Sequence, residues 1–405
     1  MGRVATFWFL YMAGLGLVFP FQALWFRENA GLAGFQLGLV LAMRPLMGML
    51  FQPMWGHLAD RTGSRRAVLI ALTLGNAVGY SLLPQAGSFW ALVLAMAFVS
   101  LFGTSIIPIG NAVSMAAIGE RAAERFGRVR AVGTVGFLAL AIGFPELLDR
   151  YQQWRGLERS PGGPSEPGLD IIFLGAAALT LAATFGARRL PRTAAMSVRA
   201  QRGDLRALLS HGPYLRLLLF TFVAFLALQG PILMFPVFIR EHGGDIDTIA
   251  RMWIPMLLVE IPLVWASGSF LRRFGPRLLV AVGVAADGLR WLLCSFADDL
   301  RVIFALQLLH GVVIAGLTVG TALYAETVVP ERLRASAQGG LAMLGYSLAG
   351  VLSSLWAGWA LDAFGVDAPY RVGGILALVL AFSAPLWLRT GGFDSSAPGE
   401  VDSQT

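Results

Sequence analysis

The sequence FQPMWGHLADRTGSRR, residues 51–66, decides the fold, because a long apolar run ends there at a short charged turn and another apolar run follows. Glycines allow tight turns and close helix packing, and a carboxylate beside a helix end can bond backbone N–H groups or arginines of neighbouring helices. The stretch therefore predicts a hinge between two membrane helices that can latch one face shut. The alternative is an arginine-rich loop that only obeys topology rules. The candidate gating residues are Gly56, Asp60, Arg61, Gly63, Arg65 and Arg66.

Part of this pattern returns 212 positions later, where residues 268–277 read GSFLRRFGPR. The two glycines and the arginine that follows them keep their spacing. Arg272 stands where the first copy has Asp60, so only the first copy keeps the full latch chemistry. The repeated pattern predicts that the chain arose by duplication of one half.

The composition is that of an integral membrane protein. Of 405 residues, 56% are hydrophobic and 14% charged, and the mean hydropathy is +0.68, whereas soluble domains carry about 25% charged residues. All 31 basic residues are arginine, so P-loop and Schiff-base lysine chemistry is excluded. The single Cys294 cannot form an intramolecular disulfide, and the four histidines show no metal-ligand spacing. We expect no metal, no cofactor and no enzymatic activity.

The apolar runs predict an all-α membrane protein with twelve transmembrane helices. A membrane span needs about 20 predominantly apolar residues. On that criterion the predicted spans are 5–26, 35–56, 66–84, 89–117, 128–148, 169–187, 213–239, 247–270, 277–296, 301–325, 335–360 and 371–389.

The loops divide the chain and orient it. Residues 1–187 and 213–390 form two six-helix bundles, joined by the arginine-rich linker 188–212 and followed by a polar tail, 391–405. Arginines concentrate in alternate loops, which places both termini in the cytoplasm of a bacterial-type inner membrane. The net charge of +7 therefore reflects topology rather than nucleic-acid binding. The loop 150–168 is rich in Pro and Gly and is predicted to be weakly ordered and without chemistry.

Ionisable residues inside the spans are the default functional candidates, because a charge in hydrocarbon costs several kcal/mol. The lone carboxylate of Glu260, between two apolar neighbours, is the strongest candidate for proton exchange. Asp287 and Arg290 are three residues apart and could simply neutralise each other. His310 could be a neutral residue of a helix-packing interface.

Three stretches resemble a known superfamily. The pattern G-x-x-x-D-R-x-G-x-R-R in residues 56–66 resembles the signature between helices two and three of major facilitator superfamily transporters. FGRVRAVGTVGF, at 126–137, resembles the fifth-helix signature of the oligosaccharide and proton symporters, the family of lactose permease. The chain also resembles the MFS_1-like group of phenylpropionate and nucleoside permeases, including ASAQGG at 335–340. The resemblance implies two pseudo-symmetric six-helix bundles and secondary transport by alternating access.

The resemblance also implies a substrate site. Arg130 matches the sugar-binding arginine of the symporter family, but Asn111 replaces the glutamate that pairs with it and Phe137 replaces a stacking tryptophan. Thr134 and Arg44 complete the predicted substrate-binding set. An arginine without its carboxylate partner suits an anionic or aromatic substrate, whose own carboxylate could neutralise it.

The coupling residues implied by the resemblance are Glu260, Arg290 and His310, the last two standing twenty positions apart as in that family. Val313 replaces a proton-carrying glutamate. The expected protein is a monomer in the lipid bilayer that moves a small organic solute (an aromatic or other organic acid, a nucleoside or a saccharide), coupled to protons. The alternatives are a proton-driven exporter of drug-like or siderophore molecules and a non-transporting membrane sensor.

Overall fold

The computed structural model describes residues 2–119, 122–159, 163–190 and 204–388, and these contain helices and no strand. The first half comprises α1 Gly2–Asn29, α2 Gly34–Arg61, α3 Arg65–Gln85, α4 Phe89–Ile118, α5 Ala122–Arg155 and α6 Ile171–Arg188. The second half comprises α7 Gly212–Glu241, the long helix Trp253–Cys294, α10 Leu300–Val328, α11 Glu331–Phe364 and α12 Ala368–Trp387.

The helix Trp253–Cys294 is two helices joined at a sharp bend. Its 42 residues are interrupted at Gly275, whose φ is +76°, a backbone conformation that glycine adopts readily and other residues avoid. We name the arms α8 (253–274) and α9 (276–294). Pro276 follows directly, where its missing N–H costs nothing at a helix start. The bend lies within the second copy of the glycine pattern noted in the sequence.

The predicted all-α membrane architecture is confirmed. Among the described residues, ten helices are long and apolar enough to cross a membrane, and the two arms of Trp253–Cys294 have the length for two further crossings at about 20 residues each. The total of twelve stays a prediction. The linker segment 191–203 and the tail 391–405 lie outside the described residues, whereas the end of the predicted linker forms a short helix, Asp204–Ser210.

The helices pack into two bundles. In the first half α1 packs on α5 and α6, α3 on α4 and α6, and α2 on α4. In the second half α7 packs on α11 and α12, while α9 contacts α10 and α12. The main contact between the bundles is α2 on α11.

The helix ends fall on two opposite faces. One carries the α2–α3 turn, and there the Arg66 side chain donates to the Leu190 carbonyl at 2.8 Å; we call it the Asp60 face. The other carries the α5–α6 connection, and there Arg240 at the end of α7 meets Glu166 at 2.8 Å; we call it the Glu166 face.

Several helix boundaries differ from the prediction by a few residues, and the clearest differences are at the end of α5 and before α8. Helix α5 continues to Arg155, beyond the predicted end at 148. The span predicted as 247–270 begins instead with a separate short helix, Ile246–Arg251, before α8 starts at Trp253. Asp245 caps that short helix through a 2.7 Å bond from the Thr248 N–H, and this bonding, led by the Thr248 side chain, lowers the pKa of Asp245.

Candidate functional site

Two connected cavities lie between the bundles. The outer one, of about 570 Å³, is bordered by α2, α4 and α11, and its lining includes Gly56 and Asp204, so it opens toward the Asp60 face. The deeper one, of about 360 Å³, shares Gly48, Gln52 and Ser347 with it. Volumes of a few hundred Å³ suit small-molecule ligands.

The deep cavity has one charged group and several neutral polar groups. Arg44 of α2 supplies the charge, and Gln229 of α7 and Tyr346 of α11 face it from the other bundle. The Phe225 and Tyr346 rings form a tilted pair, with centroids 4.6 Å apart. No acidic residue lines this cavity in the part of the chain that the structure describes. The arrangement can hold an anion at Arg44 and a flat or ring-shaped group against the aromatic pair.

Local helix geometry brings these groups into the cavity. Pro45 interrupts the hydrogen-bond ladder of α2 beside Arg44. In α11, residues Leu341–Leu348 are π-helical, a wider turn that often marks functional sites. That turn carries Tyr346 and Ser347 to the cavity wall.

Arg44 lines the deep cavity, whereas the other four predicted substrate-binding residues line neither cavity. The Arg130 guanidinium lies 4.7 Å from the Trp8 ring centroid, and one of its terminal nitrogens is buried without a hydrogen-bond partner among the described residues. Asn111 Oδ1 is buried and equally unpartnered within that part of the chain. Thr134 donates to the Arg130 carbonyl at 3.4 Å. Of the two arginines in the predicted set, Arg44 lines the deep cavity and Arg130 lies against Trp8.

The three predicted coupling residues come together with a fourth. Asp287 Oδ1 and an Arg290 terminal nitrogen are 2.8 Å apart, and the other terminal nitrogen of Arg290 lies 2.7 Å from His310 Nδ1. His310 Nε2 is 3.8 Å from Glu260 Oε2. The chain of contacts runs from α9 through α10 to α8. Asp287 and Arg290 do form the ion pair that their spacing suggested, but the pair also contacts the histidine.

The hydrogen-bond roles within this cluster are determined by chemistry. A guanidinium only donates, so His310 Nδ1 accepts from Arg290 and carries no proton. The ring proton of neutral His310 then sits on Nε2, the nitrogen that faces Glu260. Arg290 and Asp287 are almost fully buried, with side-chain exposures of 1% and 6%, whereas Glu260 is 29% exposed. Glu260 is thus the least buried member of the cluster.

Ion pairs join the bundles at the Glu166 face. Arg240 of α7 contacts Glu28 of α1 at 3.2 Å and Glu166 at 2.8 Å, and Arg159 reaches the same Glu166 carboxylate at 2.6 Å. The Glu166 side chain is only 1% exposed. The expectation that the loop 150–168 is weakly ordered is therefore wrong at Glu166, because that carboxylate is buried between two arginines.

A helix cap and an aromatic layer reinforce this closure. The Asp362 carboxylate of α11 accepts from the backbone N–H groups of Gly34 and Phe35 at 2.6 and 2.7 Å, which caps the start of α2. The Trp253 ring at the start of α8 packs between Phe19 and Phe137, with centroid distances of 5.3 and 5.6 Å. Phe137 thus contacts the opposite bundle instead of lining the cavity.

The gating residues lie beside the open cavity. Asp60 Oδ1 pairs with Arg65 at 3.2 Å across the turn, and Gly63 makes the turn with a φ of +62°. Arg66 reaches the end of α6, and the Arg61 side chain is exposed. The expected close packing at Gly56 is absent, because a methyl group there would meet nothing within 4 Å.

Sequence reasoning missed the groups whose role depends on a distant partner. Three such groups stand near predicted helix ends and belong to no recognised motif: Glu166, Arg240 and Asp362. Gln229 and Tyr346 carried no motif. For Asp362 the only available signal was an acid within an otherwise apolar run.

A family model and several relatives in the comparison with known proteins are those of membrane transporters. The model of the MFS_1 like family matches residues 2–372. A maltose permease from Geobacillus stearothermophilus is 27% identical over 386 residues, covering 92% of each chain. The multidrug resistance protein MdtG of Salmonella typhimurium is 26% identical over 308 residues, covering 72% of this chain and 71% of that protein.

The fold is shared with a solved transporter structure. The nucleoside transporter NupG superposes with a TM-score of 0.81 at 16% identity, covering 96% of this chain and 99% of that one. The predicted class is thereby confirmed, and the chain is a transporter rather than an enzyme. With its family model matched over nearly the whole length, the chain belongs to the MFS_1 like family of major facilitator superfamily transporters.

Proposed function

We propose that this transporter moves a small organic anion with a flat or ring-shaped part, driven by protons. The observation that carries the proposal is Arg44, the one charged group in the lining of the deep cavity among the described residues. Arg44 is partly buried. A cation shielded from water is costly unless it is paired, and a substrate carboxylate would provide the pair. The aromatic pair Phe225 and Tyr346 would hold the rest of the solute.

Glu260 is the proposed proton carrier. It is the most exposed member of the cluster, and the Nδ1 atom of its basic neighbour His310 already accepts a hydrogen bond from Arg290. Arg130 of α5 interacts electrostatically with Glu260 across the bundle interface. A proton on Glu260 removes that attraction, so its protonation would bias how the bundles sit together.

Alternating access is supported by the asymmetry of the two faces. The cavities open toward the Asp60 face, while ion pairs and the Asp362 cap close the Glu166 face. In the state that opens to the Glu166 face, the region around Gly56 would close, and a glycine there would let the helices approach closely. The proposed moving bodies are 1–187 and 213–390, connected by the linker 188–212.

The arginine distribution supports a cytoplasmic Asp60 face, with both termini on that side of a bacterial inner membrane. One chain contains a complete cavity and a complete coupling cluster, which supports a monomer as the working unit. Reporter fusions after Leu388 and within the 163–170 loop would test the orientation.

The test is transport in proteoliposomes with a panel of labelled aromatic carboxylates, nucleosides and maltooligosaccharides. We expect an imposed pH gradient to drive accumulation of an aromatic carboxylate by the wild type. Glu260→Gln should abolish accumulation while leaving exchange intact, because the carrier site can no longer change its charge. The matched control is Glu146→Gln, which removes an exposed carboxylate of α5 that pairs with Arg150 on the same helix. Accumulation by Glu260→Gln at the wild-type level contradicts the proposal.

Specific observations also support two alternative substrate classes. A neutral saccharide is favoured by the maltose permease relative and by the amides of Gln52 and Gln229 in the cavity. Export of a drug-like molecule is favoured by the MdtG relative and by the cavity opening at the Asp60 face. Saccharide uptake without carboxylate uptake would select the first, and transport only in inverted vesicles the second.

A further inference from the structure

We infer that Asp287 is a positioning residue of the coupling cluster: it holds and neutralises Arg290 so that His310 keeps one tautomer and Glu260 stays free to change its charge. The inference rests on the proposed proton-carrying role of Glu260. Asp287 is not part of the predicted coupling set, and it touches neither Glu260 nor the cavity lining.

The first argument is geometric. The Asp287 carboxylate binds one terminal nitrogen of Arg290, and the other terminal nitrogen donates to His310 Nδ1. The guanidinium also lies over the Trp291 ring, with 3.8 Å between its carbon and the ring centroid. Because the guanidinium is a planar fork, fixing one branch fixes the direction of the other. Asp287 therefore aims Arg290 at the histidine.

The second argument concerns charge. Asp287 and Arg290 together are neutral and nearly excluded from water. Without the Asp287 charge, the buried Arg290 would carry an uncompensated positive charge two contacts away from Glu260. That charge would hold Glu260 in its ionised form and oppose its protonation. The neutral Asp287–Arg290 pair thus adds no net positive charge to that of Arg130 near Glu260, and the Glu260 carboxylate can bind and release a proton.

Three other ionisable groups face this cluster. Arg130 interacts with Glu260 from α5, Cys294 lies one turn beyond Arg290 on α9, and Tyr370 faces Arg290 from α12. The Tyr370 hydroxyl donates to the Pro231 carbonyl at 2.9 Å. Asp287 is the one acid among the described residues that contacts Arg290.

The experiment measures the His310 tautomer directly, without substrate. The full chain with ¹⁵N-labelled histidine is reconstituted in lipid vesicles and recorded by solid-state NMR between pH 5 and 8, and His310→Asn identifies the signal among the four histidines. We expect a single Nε2–H tautomer in the wild type, with Nδ1 as an acceptor. Asp287→Asn should give mixed tautomers, whereas Asp298→Asn, which removes an exposed acid of the α9–α10 loop, should leave the signal unchanged.

Two further variants separate positioning from folding. Arg290→Lys keeps the charge but lacks the fork, so it should also give mixed tautomers. The double variant Asp287→Asn with Arg290→Lys should match the single variants, because both act on one unit. If Asp287→Asn does not fold, Arg290→Lys alone decides. A single Nε2–H tautomer in either folded single variant overturns the inference.

The pH profile of proton-driven transport supplies the second readout. With the labelled carboxylate that the wild type accumulates, Asp287→Asn should move the pH midpoint of transport about one unit lower, about a tenfold change in proton concentration. An unchanged midpoint contradicts the charge argument. Failure of the proposed function shows itself differently, as wild-type accumulation by Glu260→Gln with the tautomer result intact.

Discussion

Arg44 and Arg130 show how the surroundings of a residue, rather than its type, decide what it can do. Both are arginines within predicted spans. The Arg130 guanidinium lies against the Trp8 ring and outside the lining of the two cavities, whereas Arg44 lines the deep cavity. A cation over an aromatic face is already partly stabilised. Because Arg44 also lines the cavity, its charge is the one that an anionic substrate bound there would meet.

Replacing Arg44 by Gln should weaken binding of an anionic substrate about 10- to 100-fold, because a charged hydrogen bond contributes about 1.5–3 kcal/mol. Binding of a neutral saccharide should change little. The half-saturation concentrations of the two substrate classes in proteoliposomes measure the difference. Arg130→Gln is the matched control, and an equal loss in both variants would mean that the two arginines share the site.

At the scale of the element, single glycines decide where helices turn. Gly63 and Gly275 both have φ values near +70°, and each lies in one copy of the repeated pattern. Gly56 belongs to the same motif but stands in regular helix beside open space. The motif thus combines Gly63, whose backbone conformation requires glycine, with Gly56, which has open space beside it.

Gly63→Ala should destabilise the protein by about 1 kcal/mol, because alanine is strained in the left-handed region. Gly56→Ala should be neutral or stabilise by about 0.5 kcal/mol, since alanine favours a helix. Thermal unfolding in detergent compares the two. A similar loss in both variants would show that Gly56 is packed in the dominant state, contrary to the structure.

At the scale of the molecule, one face is closed by contacts between bundles and the other is open. The closing groups come from α1, α2, α7 and α11 and from the α5–α6 connection, far apart in sequence. Removing one partner of a buried ion pair strongly destabilises the arrangement that buries it, because an uncompensated charge remains. Loss of an ion pair at the Glu166 face should therefore favour the state in which the cavity opens to that face.

Arg240→Gln should expose the deep cavity to the Glu166 face. In a Cys294→Ser background, Leu233→Cys places a thiol on the cavity wall. We expect a membrane-impermeant maleimide added at the Glu166 face to label it about tenfold faster, if closure weakens by about 1.4 kcal/mol. Glu146→Gln breaks an exposed pair within α5 and is the control. Equal labelling rates in the two variants would exclude Arg240 from the closure.

The membrane class, the transmembrane helices and the turn at 62–64 could be predicted from the sequence, because apolar length and glycine placement are local properties. Charges within apolar runs, together with the family resemblance, made Glu260, Arg290 and His310 the coupling candidates. Helix spacing also suggested that Asp287 pairs with Arg290. Only the tertiary structure brought Glu166 to Arg240, Asp362 to the start of α2, and Arg44 to a cavity wall. Those contacts join segments more than 70 residues apart, and they depend on how the bundles face each other, which no local pattern encodes.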